Sequence, residues 1–216
     1  MNTKFANFVE KECTKALVRK GFESPRMRTR YIQLNEEFLG WVGLNRGNYA
    51  DYLQINPFIG IHCIPIMKMV KELEGAKYKI GETATFAIHM GEIAPNVKQY
   101  IFQDETNISD VAIRLSDEIM EFALPWMIKN ASFENLLPKI EKKVDMLGGN
   151  PQWYASGLYL SGQEQNAKEF VQKRTDLFDK EDHGQYSIYY RFAEPFFEMT
   201  ERDSKEQEGQ KSCRAR

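Results

Sequence analysis

A chain of 216 residues, 42% hydrophobic and 28% charged, is long and apolar enough to bury a sizeable core as one soluble globular domain. Its formal charge of −2 supplies no global field for nucleic acid or an anionic membrane, and no apolar run approaches the roughly 20 residues of a membrane span. The opening MNTKFANFVEKECTK lacks the apolar segment of a secretory signal, and Cys13, Cys63 and Cys213 are odd in number and far apart, so reduced thiols in a cytoplasm are expected.

Residues 3–20 place Phe5, Val9, Cys13, Ala16 and Leu17 on one helical face, with Gly21 as a C-terminal stop and Arg19 and Lys20 at the negative end of the dipole. Cys13 is therefore expected in the core as a small hydrophobe. The period then becomes extended. Strands are expected over about 29–35, 38–45 and 50–64, divided by NEE and by NRGN. Pro57 has no N–H for a ladder, so the third strand should be interrupted, bulged or at an edge there.

IPIMKMVKELEG carries Ile66, Met69, Val70 and Leu73 at helical spacing, between Pro65 and Gly75. ETATFAIHMGEIAP alternates again, and residues 97–103 read as a further short strand. From 105 the helical period takes over. Asn107 or Ser109 caps a helix carrying Val111, Leu115, Ile119 and Phe122, which Pro125 should kink or end. A shorter helix follows Ser132, with Pro138 suggesting a later start, and stops at Gly148-Gly149. Residues 150–178 are one helix or two, and YSIYYRFAEPFFEMT closes the ordered chain.

Strands before helices predict an α+β fold: a four- to five-stranded antiparallel sheet in the N-terminal half with a helical C-terminal half packed on it. The expected organisation is a single domain over 1–200, made of a sheet half (1–104) and a helical half (105–200). Residues 201–216 contain no large apolar side chain and are expected to be a disordered tail.

The chain contains no P-loop, GxGxxG, HExxH, CxxC or GxSxG, which removes most motif-bearing enzymes and zinc modules. Three constellations remain. His62 and His89 both fall in predicted strands. If those strands pair, the two imidazoles with Glu92 could hold a divalent metal or run acid–base chemistry. The plainer alternative is two satisfied strand histidines. Cys63 points away from His62, because successive side chains in a strand alternate, which argues against a Cys-His dyad.

The second constellation is basic. In RKGFESPRMRTR, Arg19, Lys20, Arg26, Arg28 and Arg30 face only Glu23, while residues 103–122 carry Asp104, Glu105, Asp110, Asp117, Glu118 and Glu121 against Arg114. Arg28 and Arg30 alternate on one strand face and could together grip a phosphate or an acidic partner. A solvated surface with scattered ion pairs is the plainer alternative. The third is aromatic: Trp153, Tyr154 and Tyr159, then Tyr186, Tyr189, Tyr190, Phe192, Phe196 and Phe197. Such rings anchor interfaces or fill helical cores, and Trp153 and Tyr154 are the candidates for partner contact.

The order FVEKECTKALVRKGF, YLQINPFIGI, TATFAIHMGEIAP and IRLSDEIMEFALPW, over roughly residues 5–145, resembles a loose group of small bacterial proteins of unknown function in which a helix ending in GF precedes an antiparallel sheet backed by helices. The resemblance transfers no catalytic residue. It implies a binder of the immunity or conflict-system kind, masking a toxin or similar partner.

The leading expectation is thus a cytosolic protein-binding module that uses no cofactor, with Arg26, Arg28, Arg30, Trp153 and Tyr154 toward the partner. A monomer is expected ahead of a homodimer. The alternatives are a metal-dependent hydrolase centred on His62 and His89, and a nucleic-acid-binding protein using Arg26, Arg28 and Arg30.

Overall fold

The structure, a computed structural model, describes residues 3–25, 29–103, 106–146, 149–181 and 183–214, with backbone only for 178–181, 183–188, 204 and 206–214. It is α+β, with the strands in the first half and helices dominating the second. Two compact units are formed, Met1–Ile64 with Lys79–Leu136, and Pro65–Tyr78 with Leu137–Arg216. The chain passes between the units at three points, 64/65, 78/79 and 136/137.

In the first unit, helix α1 (Thr3–Arg19) precedes the strands β1 (Tyr31–Gln33), β2 (Phe38–Asn48), β3 (Leu53–Cys63), β4 (Phe86–His89) and β5 (Tyr100–Phe102). The five strands make one antiparallel sheet in the order β1-β2-β3-β4, with β5 also on β3. The β2–β3 hairpin is longer than expected. NRGN lies inside the ladder, with Arg46 opposite Ile55 and Asn48 opposite Leu53, and the reversal falls on residues 49–52. Tyr49 and Tyr52 stack across that turn with centroids 4.5 Å apart, and Tyr49 N–H donates to the Tyr52 carbonyl.

Pro57 does not interrupt the β2 ladder. On the other edge of β3, β5 covers residues 53–55 and β4 covers 58–61, so Pro57 falls in the gap between them. Gly60 is required by close approach. A Cβ there would lie 2.6 Å from Ala84 Cβ and 2.7 Å from the Phe86 carbonyl oxygen. The sheet buries Leu39, Val42, Ile55, Ile59, Ile61 and Phe102, and α1 contributes Val9, Cys13 and Leu17 to the core as its periodicity predicts.

Helix α3 (Met90–Ile93) replaces the expected continuation of β4. Helices α4 (Ile108–Glu118) and α5 (Leu124–Lys129) are joined by a π-helical stretch, Ile119–Ala123. Pro125 thus neither ends the helix nor breaks it. It cannot donate to a carbonyl in the preceding turn, and the widened turn, in which Leu124 N–H donates to the Ile119 carbonyl, carries the chain past it. Helix α4 packs against α1 and β5, and α5 packs against β2 and β3. Helix α6 (Phe133–Glu141) begins directly after Ser132, whose hydroxyl accepts from Asn135 N–H at 3.3 Å, so Pro138 is interior and the later start is corrected.

The second unit contains most of α2 (Ile64–Leu73) together with α7 (Pro151–Leu160), α8 (Glu164–Glu181) and α9 (His183–Arg214). Residues 150–178 are two helices, separated at Gly162 with φ 81°. Ile66, Val70, Ala155, Leu158, Val171, Phe192 and Phe196 are buried. Gly157 admits Leu137 and Ile66 against α7. Helix α9 runs through residue 200, and the Tyr159 hydroxyl donates to the Asp203 carboxylate. The Cys213 side chain lies outside the described side chains. Among the described residues no helix is long and apolar enough to cross a membrane.

Candidate functional site

The outer face of α1 carries Asn7, Lys11, Thr14, Lys15 and Val18, residues that helical spacing of three and four stacks along one side. With Glu10, Arg19, Ser24 and Arg30 they line a half-open cavity of about 610 Å³ in the first unit. This volume is within the range of sites that hold small molecules or several peptide side chains. Of the described lining residues, Lys11, Lys15, Arg19 and Arg30 are cations and Glu10 alone is an acid.

The floor is a buried polar network. Arg30, only 2% exposed, precedes β1 and is pinned by its carbonyl, which accepts from Val42 N–H at 3.0 Å. Its Nη2 donates to Glu10 Oε1 at 2.8 Å and its Nε to Thr14 Oγ1 at 2.7 Å. Thr14 in turn donates to the Glu10 carbonyl at 2.7 Å, the bond a helical threonine makes to the preceding turn. Arg46 approaches Glu10 Oε2 at 3.5 Å and donates to Asn7 Oδ1 at 3.0 Å. Glu10 is thus shared between two guanidinium groups, which justifies a carboxylate that is 6% exposed.

Beneath this floor, burial pushes the Cys13 thiol up to about 12, although the nearby Arg30 charge opposes the shift. A thiol so placed stays protonated and is not a nucleophile at neutral pH. On the rim, Lys15 pairs with Glu12 at 2.6 Å, an exposed contact of little energetic weight.

The basic stretch is therefore only partly a surface. Arg30 is the buried floor of the cavity, not an exposed strand residue, because Glu10 and Thr14 from α1 close over it. Arg26 and Arg28 lie outside the described residues. On α4, Asp117 pairs with Lys20 at 2.6 Å and Glu118 with Arg114 at 3.4 Å, while Asp104 and Glu105 lie outside the described residues.

The histidines do not come together. The strands carrying them pair, but His89 stands opposite Phe58, four residues from His62 on the same strand. At the rise of an antiparallel strand that is roughly 13 Å, too far to share an ion. His62 is 1% exposed, and its Nδ1 donates to the Thr83 carbonyl at 2.6 Å. His89 caps α3: its Nδ1 accepts from Gly91 N–H at 3.0 Å, and its own N–H donates to Glu92 Oε1 at 2.9 Å. Glu92 thereby serves the helix end rather than a metal, and among the described residues no group of three metal-ligating side chains is formed.

Burial holds the His62 pKa below the ordinary histidine value, against a smaller opposing effect of the Thr83 carbonyl. The unfolded chain therefore binds the proton more readily. This contribution to stability is complete above about pH 6.5 and is lost as the pH falls toward the lower folded value. We expect denaturation midpoints to decline between pH 7.5 and 5.5, and the His62→Gln variant to show a shallower decline. An equal slope in both proteins would contradict the assignment.

Trp153 and Tyr154 are half-buried on α7. Tyr154 meets Phe170 edge-on at 5.0 Å, and burial together with the Glu141 carboxylate raises its phenol to about 12. It is an internal contact of the second unit. The groove itself was missed in the sequence reading, although the Lys11, Lys15 and Val18 stripe was visible as exposed helical positions. Beyond α1 its lining comes from Ser24 and Arg30, which no periodicity announces. Compared with protein-family models, with curated proteins and with solved structures, the chain matches none of them.

Proposed function

We propose that this chain is a protein-binding module of the cytosol that holds an acidic segment of its partner in the groove along α1, masking or scaffolding that partner. The observation that supports this reading is the charge of the 610 Å³ cavity: among the described lining residues four are cations, of which Lys15 pairs with Glu12, and the one carboxylate, Glu10, is already paired with Arg30 and Arg46. Lys11 and Arg19 span about 12 Å of helix, enough for several partner side chains. Val18, 48% exposed, adds an apolar contact between the charges. The separation of His62 from His89 along β3 supports this reading over a metal hydrolase centred on the two.

The test compares the chain with a Lys11→Glu, Lys15→Glu, Arg19→Glu variant in capture from cells of the native host. The reading expects a protein retained by the parent at low salt and weakened at least about tenfold in the variant, with an acidic segment whose charge reversal also abolishes retention. Capture indifferent to the α1 charges would sink it. So would capture that disappears on nuclease treatment, which would assign the groove to nucleic acid.

A further inference from the structure

We infer that the floor of the α1 groove is a carboxylate anchor, in which Arg30 receives an acidic side chain of the docking segment while Lys11 and Arg19 receive its neighbours. The inference rests on the groove being the binding face, and it names the group recognised there. Arg30 is almost wholly buried yet lines the cavity. A guanidinium carries five N–H donors in a rigid fork. Here Nε is committed to Thr14 and Nη2 to Glu10, and Nη1 has no acceptor among the described residues. Both committed bonds run to α1, so they hold the fork in one orientation and remove the entropy a free arginine would lose on binding.

The charge of the floor selects the ligand. Arg30 and Arg46 together outweigh Glu10 by one unit, which a single carboxylate neutralises. A phosphate, with a charge of about −1.5 to −2 near neutral pH, would concentrate more negative charge opposite the Glu10 carboxylate than a single carboxylate does. Cations placed along the rim favour an internal run of acidic side chains over a single chain terminus, which offers only one carboxylate.

The anchor can be read directly on the full-length chain by following the Arg30 Nε–H resonance during titration with an N-acetylated, C-amidated triglutamate. The resonance should move and saturate, with blocked triglutamine, N-acetylalanine and inorganic phosphate each binding at least about tenfold more weakly, the scale of one charge-assisted pair. In a Lys11→Gln, Arg19→Gln variant, triglutamate should weaken about tenfold while the Arg30 resonance still moves, because the rim and not the floor has changed. An immobile Arg30 resonance, equal binding of triglutamine, or preference for phosphate or N-acetylalanine would overturn the anchor. Triglutamate bound at Arg30 with no protein captured would leave the anchor standing and remove the proposed function. Capture lost in the rim variant with Arg30 unmoved would do the reverse.

Discussion

Replacing Glu10 by alanine is expected to destabilise the sheet-containing unit by about 3–5 kcal/mol, the usual cost of breaking a buried ion pair by removing one partner. The reason lies in what remains. Arg30 stays 2% exposed, loses the 2.8 Å contact to Glu10 Oε1, and retains only Thr14 as an acceptor among the contacts described above. Arg46 loses its carboxylate as well, but it can turn toward water. Removing both charges in a Glu10→Met, Arg30→Met variant should restore much of the stability, since no buried charge is then left unpaired. Amide exchange in α1 and β2 is the appropriate measure, because it reports this unit separately from the helical one. A loss below about 1 kcal/mol for Glu10→Ala would mean that the floor is wetter than its burial indicates.

Truncation of Phe196 to alanine is expected to cost the helical unit about 3–5 kcal/mol. Phe196 is fully buried on α9, with ring centroids at 5.4 Å from Phe192, 6.0 Å from Tyr159 and 6.2 Å from Phe197. Its removal opens a cavity whose lining is held by three other rings and cannot collapse cheaply. Leu160→Ala, at a position 39% exposed, should cost less than about 0.5 kcal/mol in the same unit. Amide exchange in α7 and α9 distinguishes the two. Equal effects would show that the aromatic segment is not the core of this unit.

The same residues show where reading by pattern succeeds. Phe192 and Phe196 are buried because a segment so rich in rings cannot remain in water, and no partner has to be known to conclude it. Pro125 and Pro138 show the opposite. Proline chemistry predicts a kink or end at Pro125 and a later helix start at Pro138, yet each sits inside a helical run, because neighbouring turns and packing can absorb one missing donor. NRGN carried a turn signal stronger than YADY, yet the hairpin reverses at the latter. Within the ladder, the Arg46 side chain meets Asn7 and Glu10, which are remote in sequence.

By itself, the sequence determined the order of elements, the antiparallel sheet before the helices and the buried face of α1. Hydrophobic periodicity is local, and burial of apolar area follows from it without reference to distant residues. Only the tertiary structure decided the rest. It separated His62 from His89 through the register of β3 and β4, and it took Arg30 out of solvent by setting it against a carboxylate 20 residues earlier. A charged side chain carries no local sign of whether it will be hydrated or paired, because that depends on which surfaces the fold brings over it.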